Sequence, residues 1–129
     1  MENMPTTARE LYGLLKNTPD LCGTLTMETD DILRWDLWEG YCLSIGVNQR
    51  EACVVLEKAT RFRWQITHWH TDNADILEEL RSIGTRGGLL VVRRGWLWEY
   101  ATFFGPEEEC PKRLLRRGLF TRPLILKAQ

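Results

Sequence analysis

Between Ile32 and Lys58 the chain alternates apolar and polar positions with the two-residue period of strands. Leu33, Trp35 and Leu37 fall on one side of the run Ile32 to Trp38, and Arg34 and Asp36 on the other. Glu39-Gly40 reads as a tight turn. Tyr41 to Val47 then sets Tyr41, Leu43, Ile45 and Val47 against Cys42, Ser44 and Gly46. Small residues on that second face predict close packing over it. Asn48-Gln49 makes the next turn, and Glu51 to Lys58 returns as a strand. Leu21 to Glu28 is a candidate strand ahead of this block. Phe62 to His70 is another after it, beyond a break near Lys58 to Arg61.

Elsewhere the period is helical. Residues 6–16 place Leu11, Leu14 and Leu15 on one stripe, with Thr6 or Thr7 as the cap and Asn17-Thr18-Pro19 as the stop. Residues 73–83 follow a cap at Thr71 or Asp72 and align Ile76, Leu77, Leu80 and Ile83. Gly84 stands where a left-handed C-terminal residue belongs. Leu89 to Arg93 and Trp96 to Phe104 form a hairpin around Arg94-Gly95. Trp96, Trp98 and Tyr100 share one face of its second strand, with Leu97, Ala101 and Phe103 on the other. A strand apolar on both faces is expected to be central in its sheet or covered on both sides. Residues 107–117 predict a last helix, stopped by Gly118, and the tail 118–129 is apolar enough to dock.

The pattern therefore predicts an α+β fold in one domain spanning 1–129. Its order is α-β(n)-α-β-β-α, with a mostly antiparallel sheet of about five to seven strands and two or three helices on one face.

Composition narrows the function classes. The 129 residues are 43% hydrophobic and 27% charged, ordinary values for a globular domain. No run of about 18 apolar residues offers a membrane span, so no membrane partner is expected. The start MENMPTTARELYGLL has early acids and no basic-then-apolar sequence, which argues against a secretory signal. Cys22, Cys42, Cys53 and Cys110 form no C-x-x-C pair. A reducing, cytoplasmic setting is the simplest expectation. The net charge is −1, unevenly spread. Residues 1–31 hold six acids and two bases, while residues 110–129 hold six bases and no acid.

The densest chemistry lies in Arg61 to Leu80, which contains both histidines. His68 and His70 are two apart on a strand and so share a face, as two ligands of one metal would. Asp72 or Asp75 stands ready to add an oxygen. The stretch ITHWHTDNADIL is similar to the H-x-H-x-D-H motif of metallo-β-lactamase-fold hydrolases over about ten residues. Those enzymes require Asp-His where this chain has Asp72-Asn73, and further distant histidines that it lacks. No membership follows. The alternative account needs no metal. Phe62, Trp64, Ile66, His68 and His70 would form one alternating face, with His68 packed and His70 close to the helix cap. Asp72 and Asp75 would satisfy helix N–H groups and the dipole.

Other catalytic patterns are missing. Ser44 and Ser82 are the only serines and neither lies in a nucleophile elbow. Arg86-Gly87-Gly88 lacks a phosphate-loop context. The basic run Lys112, Arg113, Arg116 and Arg117 could meet nucleic-acid phosphates, with tryptophans stacking on bases. Six Trp, three Tyr and four Phe beside many Arg favour a protein interface instead. Trp35, Trp38, Trp69 and Trp96 are the candidates for partly exposed anchors. The expectation is a non-catalytic protein-binding module without a cofactor, with a protein partner or a second copy. An immunity-type, toxin-neutralising role suits that description. A His68/His70 metal enzyme or sensor is the first alternative, and an arginine-based nucleic-acid binder the second.

Overall fold

The computed structural model describes residues 4–60, 63–85, 88–94, 99–104, 108 and 122–128, with the backbone alone at Arg94, Tyr100 and Arg122. Helix α1 (Ala8–Lys16) is capped by Thr7, whose hydroxyl accepts from the Glu10 amide at 3.1 Å. The Glu10 carboxylate reaches back to the Thr6 amide at 3.1 Å, so the first turn is closed from both sides. Ala8, Leu11 and Leu15 form its buried stripe.

Five strands follow as an antiparallel meander in chain order. They are β1 (Thr24–Met27), β2 (Ile32–Trp38), β3 (Tyr41–Val47), β4 (Glu51–Lys58) and β5 (Trp64–Asp72). The turns fit their residues. Gly40, between β2 and β3, has φ +80°, a region where a Cβ is strained. The Asn48 side chain, between β3 and β4, accepts from the amides of Arg50 and Glu51 at 2.7 and 2.9 Å. Helix α2 (Asn73–Gly84) then leads to a second sheet. There β6 (Leu89–Arg94) lies between β7 (Glu99–Phe104) and β8 (Arg122–Lys127), both antiparallel to it.

The α+β class holds, and two details change. Two sheets, of five and three strands, replace the single sheet of five to seven. The strand expected to be central or covered on both sides, β7, is not the central one: among the described residues β6 takes the centre, with β7 on one side and β8 on the other. Of the tail 118–129, residues 122–127 form that eighth strand. Residues 109–117 of the expected last helix lie outside the described residues, as do residues 95–98 of the expected hairpin.

One buried cluster joins these elements. The inner face of the first sheet contributes Leu33, Trp35, Leu43, Ile45, Val54 and Leu56, α1 adds Leu11 and Leu15, and α2 adds Ile76 and Leu80. Leu90 and Val92 of β6 complete it. At its centre Trp35 is 0% exposed and donates from Nε1 to the Cys22 carbonyl at 2.9 Å. Two glycines make room for it. A Cβ on Gly23, at φ +81°, would lie 2.6 Å from the Asp36 carbonyl and 2.7 Å from Trp35 Nε1. A Cβ on Gly84 would overlap the six-membered ring of Trp35. Gly84 is therefore not the left-handed cap the sequence suggested. It is the last helical residue, and Thr85 is the extended C-cap. The glycine is needed for ring contact, not for backbone handedness.

We expect Gly84→Ala to cost about 1–3 kcal/mol, the usual range for overpacking. Gly13→Ala, in the middle of α1 with nothing within 4 Å of its would-be Cβ, should instead gain about 0.5–1 kcal/mol. Urea midpoints of the two variants would move in opposite directions.

Candidate functional site

Alternation along β5 sends successive side chains to opposite faces. Thr67, Trp69 and Thr71 pair in register with Leu56, Val54 and Ala52, residues of the inner face. His68 and His70 pair with Val55 and Cys53 on the outer face. A β-bulge at Leu56/Glu57 breaks the expected single stripe. Gln65 pairs with Glu57 and Trp64 with Lys58, so Trp64 leaves the histidine face and Ile66 occupies the bulge. His68, expected to be packed, is exposed, and so is His70 beside it.

On the inner side, β5, α2 and β7 enclose a cleft of about 720 Å³. Trp69, Phe103 and Ile83 give it apolar walls, and the Trp69 and Phe103 rings lie 5.2 Å apart. Asp75, Glu78 and Glu79 come from one face of α2, at spacings of three and four. Glu108 also lines it, and no Lys, Arg or His does so among the described residues. Glu79 is held in place. Its carboxylate accepts from Trp69 Nε1 at 2.5 Å and from Thr71 Oγ1 at 2.6 Å. These are short, charge-assisted bonds that fix the indole as well as the acid.

The outer face carries a different set. The Arg63 guanidinium donates to Ser44 Oγ at 2.8 Å, pairs with Glu57 at 2.9 Å, and also pairs with Glu28. Burial pulls its pKa down, but the bond to Glu28 and the charge of Glu57 hold it above the ordinary value. Arg63 therefore covers Cys42 and Ser44, two of the small β3 residues that predicted close packing. Cys42, beneath it, is fully buried. Burial pushes its thiol up, against the downward pull of Arg34 and Arg63. It is a packed thiol, not an activated nucleophile. Farther along this face, His68 Nδ1 meets Gln65 Nε2 at 2.7 Å, and His70 Nδ1 meets Glu51 at 3.2 Å.

The sequence candidates fall into different places. Trp35 and Trp38 were expected to be partly exposed, but both are buried, the first under α2 and the second against Phe103 at 5.3 Å. They are core residues because both belong to the sheet face that the helices and second sheet cover. Trp69 is half-buried in the cleft wall. Trp96 and the run Lys112, Arg113, Arg116 and Arg117 lie outside the described residues. Asp72 is the N-cap of α2 but makes no side-chain cap bond, and Asp75 lines the cleft. Among the described residues no three His, Cys, Asp or Glu side chains assemble to hold a metal. Sequence reasoning missed two features. Trp64 is 69% exposed. Glu78 and Glu79 combine with Asp75 into an acidic helix face, a signal present in the spacing D-x-x-E-E beside the apolar stripe.

The chain matches no protein-family model, no curated protein and no solved structure. Among the described residues no helix is long and apolar enough to cross a membrane.

The two thiols of the outer face should differ in reactivity. Half-buried Cys53 is expected to react with a neutral maleimide first, and Cys42 only as the protein opens. The raised Cys42 pKa also has a sign for stability. The unfolded thiol ionises before the folded one, so this contribution is present below the unfolded pKa and is lost as pH rises through the folded value. Urea midpoints of wild type and Cys42→Ala, measured from pH 7 upward, should show the steeper alkaline fall in wild type.

Proposed function

We propose that this protein is a non-catalytic binding module that takes a basic segment of a protein partner into the cleft between β5, α2 and β7. One observation carries the reading: carboxylates of α2 stand over a Trp69–Phe103 wall, with no basic lining residue among those described. Clustered acids repel one another, and a cationic side chain relieves that repulsion. Arginine suits the geometry best. Its guanidinium plane stacks on an indole, its stem covers apolar wall, and its fork meets carboxylates two at a time. Glu79, committed to Trp69 and Thr71, holds the wall in shape. Asp75 and Glu78, both exposed, remain for the incoming charge.

An acidic receptor surface also attracts a basic partner before contact and accelerates encounter. This is the behaviour expected of a partner-neutralising protein, such as a bacterial immunity protein facing a toxin with a basic working surface. A second copy of the chain is the other protein partner consistent with the reading. Sedimentation at increasing concentration separates the two, since a homodimer would form without any added protein.

The direct test is titration with a hexa-arginine peptide, followed by the Trp69 indole N–H resonance. The resonance should shift, and 0.5 M salt should weaken the binding. The double variant Asp75→Asn/Glu78→Gln should bind about five- to tenfold more weakly, since each rim charge contributes up to about 1 kcal/mol. An unmoved resonance, or equal binding of the citrulline peptide, would sink the proposal.

A further inference from the structure

The histidine pair on the opposite side of β5 is unused by the cleft. His68 and His70 are both exposed, and their ring centres lie 6.0 Å apart with planes at 88°. An ion about 2.1 Å from a nitrogen of each ring would set the centres roughly 5–6.5 Å apart. The pair therefore has the spacing of two ligands on one ion without any movement of the strand.

The second nitrogen of each ring is already engaged. His70 Nδ1–H can donate to the Glu51 carboxylate 3.2 Å away, which leaves the Nε2 lone pair of this exposed ring free for an ion. A carboxylate behind a ligating imidazole fixes its tautomer and raises its basicity. His68 Nδ1 meets the Gln65 amide at 2.7 Å. As placed, the amide N–H donates to Nδ1 and the ring proton sits on Nε2; a flip that exchanges the amide oxygen and nitrogen lets Nδ1–H donate instead and frees Nε2 for an ion. Each histidine thus has its own supporting residue, one from β4 and one from β5.

We infer that His68 and His70 form an open, two-histidine site for a divalent transition-metal ion on the outer face of the first sheet. Imidazole nitrogen selects zinc, nickel or copper over calcium and magnesium. Among the described residues no further His, Cys, Asp or Glu closes the set. The remaining coordination positions therefore belong to water or to a donor from another molecule. Both imidazoles bind in the neutral form, so the ion displaces water and no covalent bond to the protein changes. Glu51 and Gln65 are positioning residues, acting through the rings they hold.

The test uses the full untagged chain and zinc ion alone, followed by calorimetry and by histidine ring resonances. One zinc per chain should bind, with both rings shifting together. His68→Gln and His70→Gln should each weaken binding at least tenfold. Glu51→Gln should weaken it about tenfold, and Gln65→Glu should tighten it. Because both side chains are exposed, the variants should keep the wild-type circular dichroism. Cys53→Ser, which removes the thiol across from His70, should leave binding unchanged. Undiminished binding in the double His68→Gln/His70→Gln variant would overturn the site. So would loss of binding in Cys53→Ser with both histidines intact. The cleft faces the other way, so failure of the arginine-peptide titration leaves this result independent.

Discussion

The buried indole of Trp35 fixes the relation between the first sheet and everything laid on it. Its N–H is satisfied by the Cys22 carbonyl, and the Cys22 amide in turn donates to the Gly84 carbonyl at 2.8 Å. The segment before β1, the middle of β2 and the end of α2 therefore meet at one ring. Gly23 and Gly84 permit that meeting by having no side chain where the ring lies. A large aromatic with its polar atom paired adds burial without leaving an orphan donor. Once α2 is pinned at its C-terminal end, its acidic face is set over β5, and the position of the cleft follows.

Charge is organised by strand alternation around that arrangement. One strand, β5, supplies the indole that walls an acidic cleft and, one residue on either side, the two imidazoles of the outer face. The bulge at Leu56/Glu57 decides which residues go where. Without it, Trp64 and Ile66 would join the histidines as an apolar stripe in solvent. The extra residue instead turns them out of that face, and Arg63 is free to lie across β3 toward Glu28, Glu57 and Ser44.

Much of this was legible locally. The bounds of β2, β3 and β4 follow from strict alternation between glycine and asparagine turns, and the extent of α2 from its four-residue apolar stripe. What local pattern lacks is pairing at a distance. The second partner of β6 is a strand about thirty residues later, so that pairing had no signature in either segment, although the β6–β7 hairpin did. The same limit explains the tryptophans. Counting aromatics against one sheet face implied that some must be exposed, but a second sheet provides more cover. Trp38 is buried for that reason, against Phe103, while α2 covers Trp35. The acidic face of α2 was visible as spacing, yet its meaning depended on Trp69 and Phe103 arriving from two other strands. The bulge that takes Trp64 off the histidine face leaves no mark that sequence alternation alone would reveal.

The placement of β8 beside β6 has a consequence for how the molecule comes into being. The meander from β1 to β5 can close hairpin by hairpin as the chain leaves the ribosome, because each strand pairs with the one just made. The central strand β6 cannot complete its hydrogen bonding until residues 122–127 have also emerged. Until then Leu90 and Val92 sit beside an unpaired edge, which is the feature most prone to misassociation in a partly made protein. Residues 122–127 thus act as a lock on the second sheet, and nascent chains arrested before them would be the natural clients of a chaperone.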